Sequence, residues 1–184
     1  ELTNRIKKRA FDMIVSLFVT VFILSWLIPL IGLLIKLESR GPVFFRQQRS
    51  GKDNRPFGCH KFRSMRMNAN ANTLQASRND ARITRIGRFL RRTNLDEFPQ
   101  FLNVLSGDMS LVGPRPHMLK HTADYSKIIE QYMIRQFLKP GITGWAQVNG
   151  FRGETKTLEQ MRKRVEYDLW YMENRSWSLD IRIM

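Results

Sequence analysis

Cysteine is almost absent from this 184-residue chain, histidine is scarce, and acidic residues are outnumbered nearly two to one by basic ones. Cys59, standing alone, excludes an intramolecular disulfide and lacks the ligand company of a structural zinc site. It is expected to be a small core residue. His60, His117 and His121 do not make a metal pattern either, because His117 and His121 are four apart without the HExxH arrangement. Neither GxGxxG nor a Walker lysine motif occurs, which excludes two glycine-rich phosphate cradles. No internal repeat is visible.

What is present is 42% hydrophobic residues and a formal net charge of +15. The first is enough for one compact domain with a core, and argues against disorder. The second points to partners that carry phosphate. Between residues 46 and 92, thirteen Lys or Arg face two acids, Asp53 and Asp80.

Residues 13 to 35, MIVSLFVTVFILSWLIPLIGLLI, hold no charge, and as one helix would be about 34 Å long, matching a bilayer core. The run is too long for a signal-peptide core and is followed by Lys36, Glu38 and Arg40 rather than a small-residue cleavage site. Basic residues crowd both ends: Arg5, Lys7, Lys8 and Arg9 before it, Lys36, Arg40, Arg46 and Arg49 after. The positive-inside rule then favours both ends on one side. Pro29 opposes the carbonyl of Ser25 and removes a helical hydrogen bond, with Gly32 one turn on. A re-entrant helix-break-helix hairpin is therefore expected, with Ser25 and Pro29 at the break. The alternative is a Pro-kinked transmembrane helix. Asp12 is expected as an interfacial charge at headgroup depth.

The reading is α+β: a monotopic membrane protein whose residues 1–36 form the basic flank and membrane helix, and whose residues 37–184 form a mainly helical cytoplasmic catalytic domain with a small β-hairpin. Val43 to Gln48 and Phe57 to Met65 are the two strands around a Gly-, Asn- and Pro-rich turn. Residues 66 to 80 read as a surface loop. Ile83, Ile86, Phe89 and Leu90 repeat at helical spacing among Arg82, Arg85, Arg88, Arg91 and Arg92, an Arg-rich amphipathic helix. Tyr125 to Phe137 is expected helical, and 138 to 153 a Gly-rich loop or short-strand region. Thr157-x-x-Gln160 resembles a capping box, followed by a core face of Leu158, Met161, Val165, Leu169 and Met172.

Asp96 and Glu97 form an acidic pair directly after the basic stretch. With Asp96 as N-cap, Pro99 falls in the first helical turn, where its missing donor does no harm. Helix dipole and neighbouring Arg would keep Asp96 ionised, the form a nucleophile requires. Glu97 could hold a metal ion that clamps phosphate charge. A plain capping pair is the duller reading. Against it stand LVGPRP (111 to 116), where Pro114 and Pro116 restrict the backbone on both sides of Arg115, and Lys61 and Arg63 in HKFRSM.

RPFGCHKFRSM, RITRIGRFLRRTNLDEFPQFLNVLSGDMSLVGPRP and PGITGWAQVNG together resemble the bacterial monotopic phosphoglycosyl transferases, the polyprenyl-phosphate sugar-1-phosphate transferases. The resemblance runs from about Lys7 to the end. It implies that Asp96 attacks the sugar-linked phosphorus of a UDP-sugar, releasing UMP, and that undecaprenyl phosphate takes the phosphosugar from the carboxylate. Glu97, with Asp96 beside it, would ligate Mg²⁺. Lys61, Arg91 and Arg115 match phosphate-contacting positions, with Arg63, Arg88, Pro114 and Pro116 as further substrate-binding candidates. Asp168, in VEYDLWY, matches a position near the site. Ile28 stands before Pro29 where some members have Ser, so Ser25 is the candidate substitute. QASRNDARITRIGRFLRRT and FRGETKTLEQMRKRVEYDL look closest to the subgroup that transfers glucose 1-phosphate and starts exopolysaccharides. The resemblance also implies the cytoplasmic face of the bacterial inner membrane, contact with membrane lipids, a possible homo-oligomer, handover to downstream glycosyltransferases, and no nucleic acid. Members of the subgroup usually carry extra N-terminal transmembrane helices and a further domain, so the chain is expected to be a fragment.

The other class of function compatible with composition is a basic membrane-anchored module binding nucleic acid or anionic lipid. It leaves unexplained two adjacent acids where they would repel phosphate.

Overall fold

The structure, a computed structural model, describes residues 2–67, 80–153, 155 and 157–184. Most of the loop expected at 66 to 80 lies outside the described residues.

The chain opens with a helix running from α1 (Leu2–Val19) through a π-helical turn (Thr20–Leu24) into α2 (Ser25–Glu38). Its buried side chains are Asp12, Ser16, Val19, Leu24, Leu27, Ile31 and Ile35. They recur at three or four residues except across the π turn, where the step is five. The wider turn absorbs the extra residue and keeps one stripe facing the body of the protein. The other face stays exposed and apolar, with Ile14, Leu17, Phe18, Val21, Phe22, Trp26, Leu30, Leu33 and Leu37.

The departure from α geometry therefore lies at Thr20–Leu24 and not at Pro29, which sits inside α2. The bond that Pro29 forgoes is the one to Ser25, the first residue of α2, so the irregularity falls in the turn before the proline. Asp12 is a second correction. It is buried, accepting from Ser110 Oγ at 2.7 Å and Leu111 N at 3.3 Å.

Both ends of this helix dock on the same body. Near the start, Lys8 Nζ pairs with Asp180 at 2.6 Å and Arg9 donates to the carbonyl of Val104 at 2.7 Å. At the end, Glu38 accepts from the amides of Arg85 and Ile86, the first residues of α3 (Arg85–Thr93). Between them Val19, Leu24, Leu27, Ile31 and Ile35 share a core with Phe62 and Leu90. Each such side chain contributes roughly 1.5–3 kcal/mol on full burial.

β1 (Phe44–Ser50) and β2 (Pro56–Phe62) form the expected antiparallel hairpin, pairing Phe45 with Lys61 and Gln47 with Cys59. Cys59 is buried in the core, as expected. Thr84 caps α3 by accepting from Gly87 N at 2.9 Å. Asn94 then takes left-handed backbone, φ 60°, and turns the chain into a short 3-10 segment, Leu95–Glu97. α4 (Gln100–Ser106) starts after Pro99, so Asp96 is not its N-cap.

A second pairing was not foreseen: β3 (Ser110–Val112) runs parallel to β4 (Gly141–Thr143). The helix expected at Tyr125 to Phe137 is instead α5 (Leu119–Tyr125) followed by a 3-10 segment, Tyr132–Phe137. α6 (Trp145–Val148), α7 (Leu158–Asn174) and α8 (Trp177–Ile183) complete the chain. Thr157 caps α7 as expected, accepting from Gln160 N at 3.2 Å. The buried face of α7 is Met161, Arg164, Val165, Asp168 and Tyr171, with Leu158 exposed. The polar members are there because the interior they meet is itself charged.

Candidate active site

The turn after Asn94 drops both acids into the protein: Asp96 and Glu97 are each 7% exposed. Their surroundings differ. Glu97 Oε1 accepts from Lys61 Nζ at 2.7 Å and from Arg115 Nη2 at 2.6 Å, and Oε2 accepts from Arg115 Nη1 at 3.3 Å. Arg152 stands 3.6 Å from Oε2. Burial alone would raise the Glu97 pKa, but the charges of Arg115 and Lys61 hold it well below the usual carboxylate range.

Asp96 makes no hydrogen bond or ion pair through its carboxylate with the described residues. Burial pushes its pKa above the ordinary value, with the Glu97 charge adding to the effect, against Lys61, Arg91 and Arg115. The dipole argument from sequence is thus corrected: desolvation, not a helix end, dominates Asp96. One carboxylate is fixed and neutralised, and its neighbour is left uncommitted among cations.

Several elements deliver these groups. Asn103, on α4 and almost fully buried, accepts from His60 N at 2.9 Å and donates to the Gly58 carbonyl at 2.9 Å. It ties α4 to β2 and sets Lys61 beside Glu97. Arg91, at the end of α3, donates to Ser64 Oγ at 2.8 Å. Arg115 also donates to Gln147 Oε1 at 2.8 Å, and Gln147 in turn donates to the Ile142 carbonyl at 3.0 Å.

The GPRP segment is held from behind. Pro114 accepts from Gly141 N at 2.9 Å and Pro116 accepts from Arg49 Nη1 at 2.7 Å. Arg135 Nη2 donates to the Arg115 carbonyl at 2.7 Å while pairing with Asp168 at 2.6 and 2.9 Å. Arg135 also donates to His117 Nδ1 at 2.9 Å, and the same ring nitrogen meets the Tyr132 hydroxyl. Burial and the Arg135 charge keep His117 well below its ordinary pKa, hence neutral.

Of the residues expected at the site, Asp96, Glu97, Lys61, Arg91 and Arg115 come together. Pro114 and Pro116 are buried and act through backbone carbonyls. Asp168 lies one layer behind, reaching Arg115 through Arg135. Arg63 is corrected: it is buried and donates to the carbonyls of Ser39 and Arg40, fastening the end of the apolar helix. Arg88 is exposed on α3 and makes no contact with the acidic pair. Ser25 and Pro29 are exposed on the helix and belong to its junction, not to the site.

Arg49, Arg135, Gln147 and Arg152 were missed. Gln147 lies inside a motif already singled out, and Arg135 interrupts the apolar run YMIRQF much as Asp168 interrupts the apolar side of α7. Two isolated charges on buried faces are a signal for each other.

For a divalent ion, no group of three metal-ligating side chains occurs among the described residues. Mg²⁺ needs only one or two carboxylates when phosphate oxygens complete its shell, and the uncommitted Asp96 beside Glu97 fits that requirement.

Together, these elements present an apolar helix with one exposed apolar face and a buried carboxylate pair ringed by Lys and Arg, a charge arrangement suited to phosphate. The chain belongs to the bacterial sugar transferase family, whose model it matches over residues 3–184. It is 53% identical over 184 residues to the UDP-glucose:undecaprenyl-phosphate glucose-1-phosphate transferase of Escherichia coli (strain K12), covering 98% of this chain and 39% of that protein. A protein of the same name from Xanthomonas campestris pv. campestris is 58% identical over 152 residues, covering 82% of this chain and 31% of that one. The exopolysaccharide production protein PSS of Rhizobium leguminosarum bv. phaseoli is 45% identical over 182 residues, covering 96% and 90%. The chain thus spans about two-fifths or less of the first two relatives and nearly the whole of the third.

Proposed function

We propose that this protein transfers a sugar 1-phosphate, glucose 1-phosphate in the first place, from a UDP-sugar to undecaprenyl phosphate, at the cytoplasmic face of the bacterial inner membrane. The observation that carries the reading is the contrast within the pair: Glu97 held by Lys61 and Arg115, and Asp96 equally buried but with no hydrogen-bond or ion-pair partner among the described residues.

In the first step an Asp96 carboxylate oxygen attacks the phosphorus bonded to the sugar. The bond from that phosphorus to the bridging oxygen breaks, and UMP leaves with the electron pair. In the second step a phosphate oxygen of the lipid acceptor attacks the same phosphorus and the Asp96 carboxylate departs, giving undecaprenyl-diphosphate-sugar. Lys61, Arg91 and Arg115 surround the carboxylates with fixed positive charge, which favours the negative charge that spreads over the phosphoryl oxygens. Mg²⁺ held by Glu97, with Asp96 beside it, would supply further neutralisation of the phosphates. The names of the two glucose-1-phosphate transferases support glucose as the sugar.

The helix of residues 2–38 is read as entering the membrane and returning, with its irregularity at the π turn Thr20–Leu24, one turn before Pro29. Docking of both its ends on one body supports this, as do the basic residues at both ends.

Incubation of the membrane-embedded protein with a panel of UDP-sugars, following UMP and lipid product, tests class and sugar together. UMP release with UDP-glucose is expected; no release with any donor would reject the reading.

A further inference from the structure

Glu97 carries more positive charge than it needs. Lys61 and Arg115 already contact it at 2.7 and 2.6 Å, and both are largely buried. Arg152, at 3.6 Å, is a third cation whose side chain is 46% exposed. At 3.6 Å, past hydrogen-bond reach and with the Arg152 side chain half in solvent, the approach to Glu97 is the loosest of the three and is not what holds Arg152 in place.

The backbone around it does. Gly150 and Gly153 both have positive φ, 92° and 91°, which flanks Arg152 with two sharp changes of direction. Phe151 N donates to the Ala146 carbonyl at 2.9 Å, and the Phe151 ring packs on Tyr167 of α7 at 4.9 Å. Arg164, 5% exposed, donates to the Gly153 carbonyl at 3.1 Å. The turn is anchored on each side of Arg152 and displays that one side chain outward, over carboxylates that are themselves buried. Of the three cations within 4 Å of Glu97, Arg152 is the most exposed.

We propose that Arg152 contacts a phosphate of the incoming substrate, exchanging its loose approach to Glu97 for a charge-assisted hydrogen bond to that phosphate. The inference rests on the transferase reading above, and the phosphate could belong to the nucleotide donor or to the lipid acceptor.

The experiment compares wild type with Arg152→Ala and Arg152→Lys in the membrane-embedded protein. Loss of a charge-assisted hydrogen bond should raise one KM roughly tenfold or more, with Lys restoring part of it. If the phosphate is the donor's, UMP release without acceptor slows in R152A at subsaturating UDP-sugar. If it is the acceptor's, that release is unchanged and the KM for undecaprenyl phosphate rises. Calorimetric titration with inorganic pyrophosphate supplies a readout free of turnover: weaker binding by R152A supports the contact even if no UDP-sugar is consumed by wild type, an outcome that would reject the transferase reading alone. Unchanged KM values and unchanged pyrophosphate binding overturn the proposal and leave Arg152 a solvated counter-ion.

Discussion

The carboxylate of Asp12, in the first helix, accepts a hydrogen bond at 2.7 Å from Ser110, the residue that opens the strand leading to GPRP. Only Leu111 and Val112 separate Ser110 from that segment, so the apolar helix and Arg115, which pairs with Glu97, share one connection. Asp12→Ala leaves the Ser110 hydroxyl and the Leu111 amide buried without this partner, at about 1–3 kcal/mol each. Denaturation of the detergent-solubilised protein should show that loss; a variant as stable as wild type would contradict the connection.

A second consequence concerns the membrane. Lys8 and Arg9 at one end of the helix, and Glu38 at the other, contact the same body. Single cysteines at Arg5→Cys and Arg40→Cys, both exposed sites, should react with an impermeant thiol reagent from the same side. The native Cys59 is buried and contributes little background. Labelling from opposite sides would sink the re-entrant topology.

Local pattern made much of this legible. The apolar run, the β-hairpin, the Thr157 cap and the Arg-rich helix each announce themselves within a few residues of sequence. So does the acidic pair, once set beside GPRP. What could not be read is what depends on distant partners. Asp12 looks interfacial until Ser110 is placed beside it. Arg63 looks like a phosphate ligand until the carbonyls of Ser39 and Arg40 claim it. The parallel pairing of β3 with β4 joins two three-residue strands that are too short to show a period. The Asp96 N-cap failed because Asn94 takes left-handed backbone and a 3-10 turn follows, so that α4 starts only after Pro99.

The two acids should separate cleanly by mutation. Asp96→Asn keeps shape and removes the carboxylate proposed as nucleophile, so UMP release should vanish while folding persists; retained turnover rules out the covalent role. Glu97→Gln loses the charge that anchors Lys61 and Arg115. A sugar-phosphate adduct, sought by mass spectrometry after donor is supplied without acceptor, should sit on Asp96 in wild type and be missing from Asp96→Asn.

Asp168 acts on the site through Arg135. The pair is almost wholly buried, at 3% and 2% side-chain exposure, and deleting one partner of such a pair costs about 3–5 kcal/mol. Asp168→Ala should therefore melt earlier. Asp168→Asn, which keeps the volume, provides the finer test: a looser Arg135 no longer fixes the Arg115 carbonyl, and donor KM should rise with kcat falling alongside. A loss of stability without any kinetic change would restrict Asp168 to packing.

The last prediction follows from what sets the charge of Asp96. Burial raises its pKa from the ordinary 3.8, and Lys61 is the first of the charges that pull it back. A carboxylate acting as the nucleophile proposed here works only when ionised, so the acidic limb of the pH–rate profile should lie above that ordinary value. Lys61→Gln removes one opposing charge and leaves burial in place, which raises the Asp96 pKa further. The limb should then move to higher pH, so that the deficit of the variant is largest at low pH and shrinks as pH rises and Asp96 ionises in both proteins. Steady-state kinetics of kcat/KM across the acidic range decide this, because Lys61 acting only as a phosphate ligand would lower the rate by the same factor at every pH.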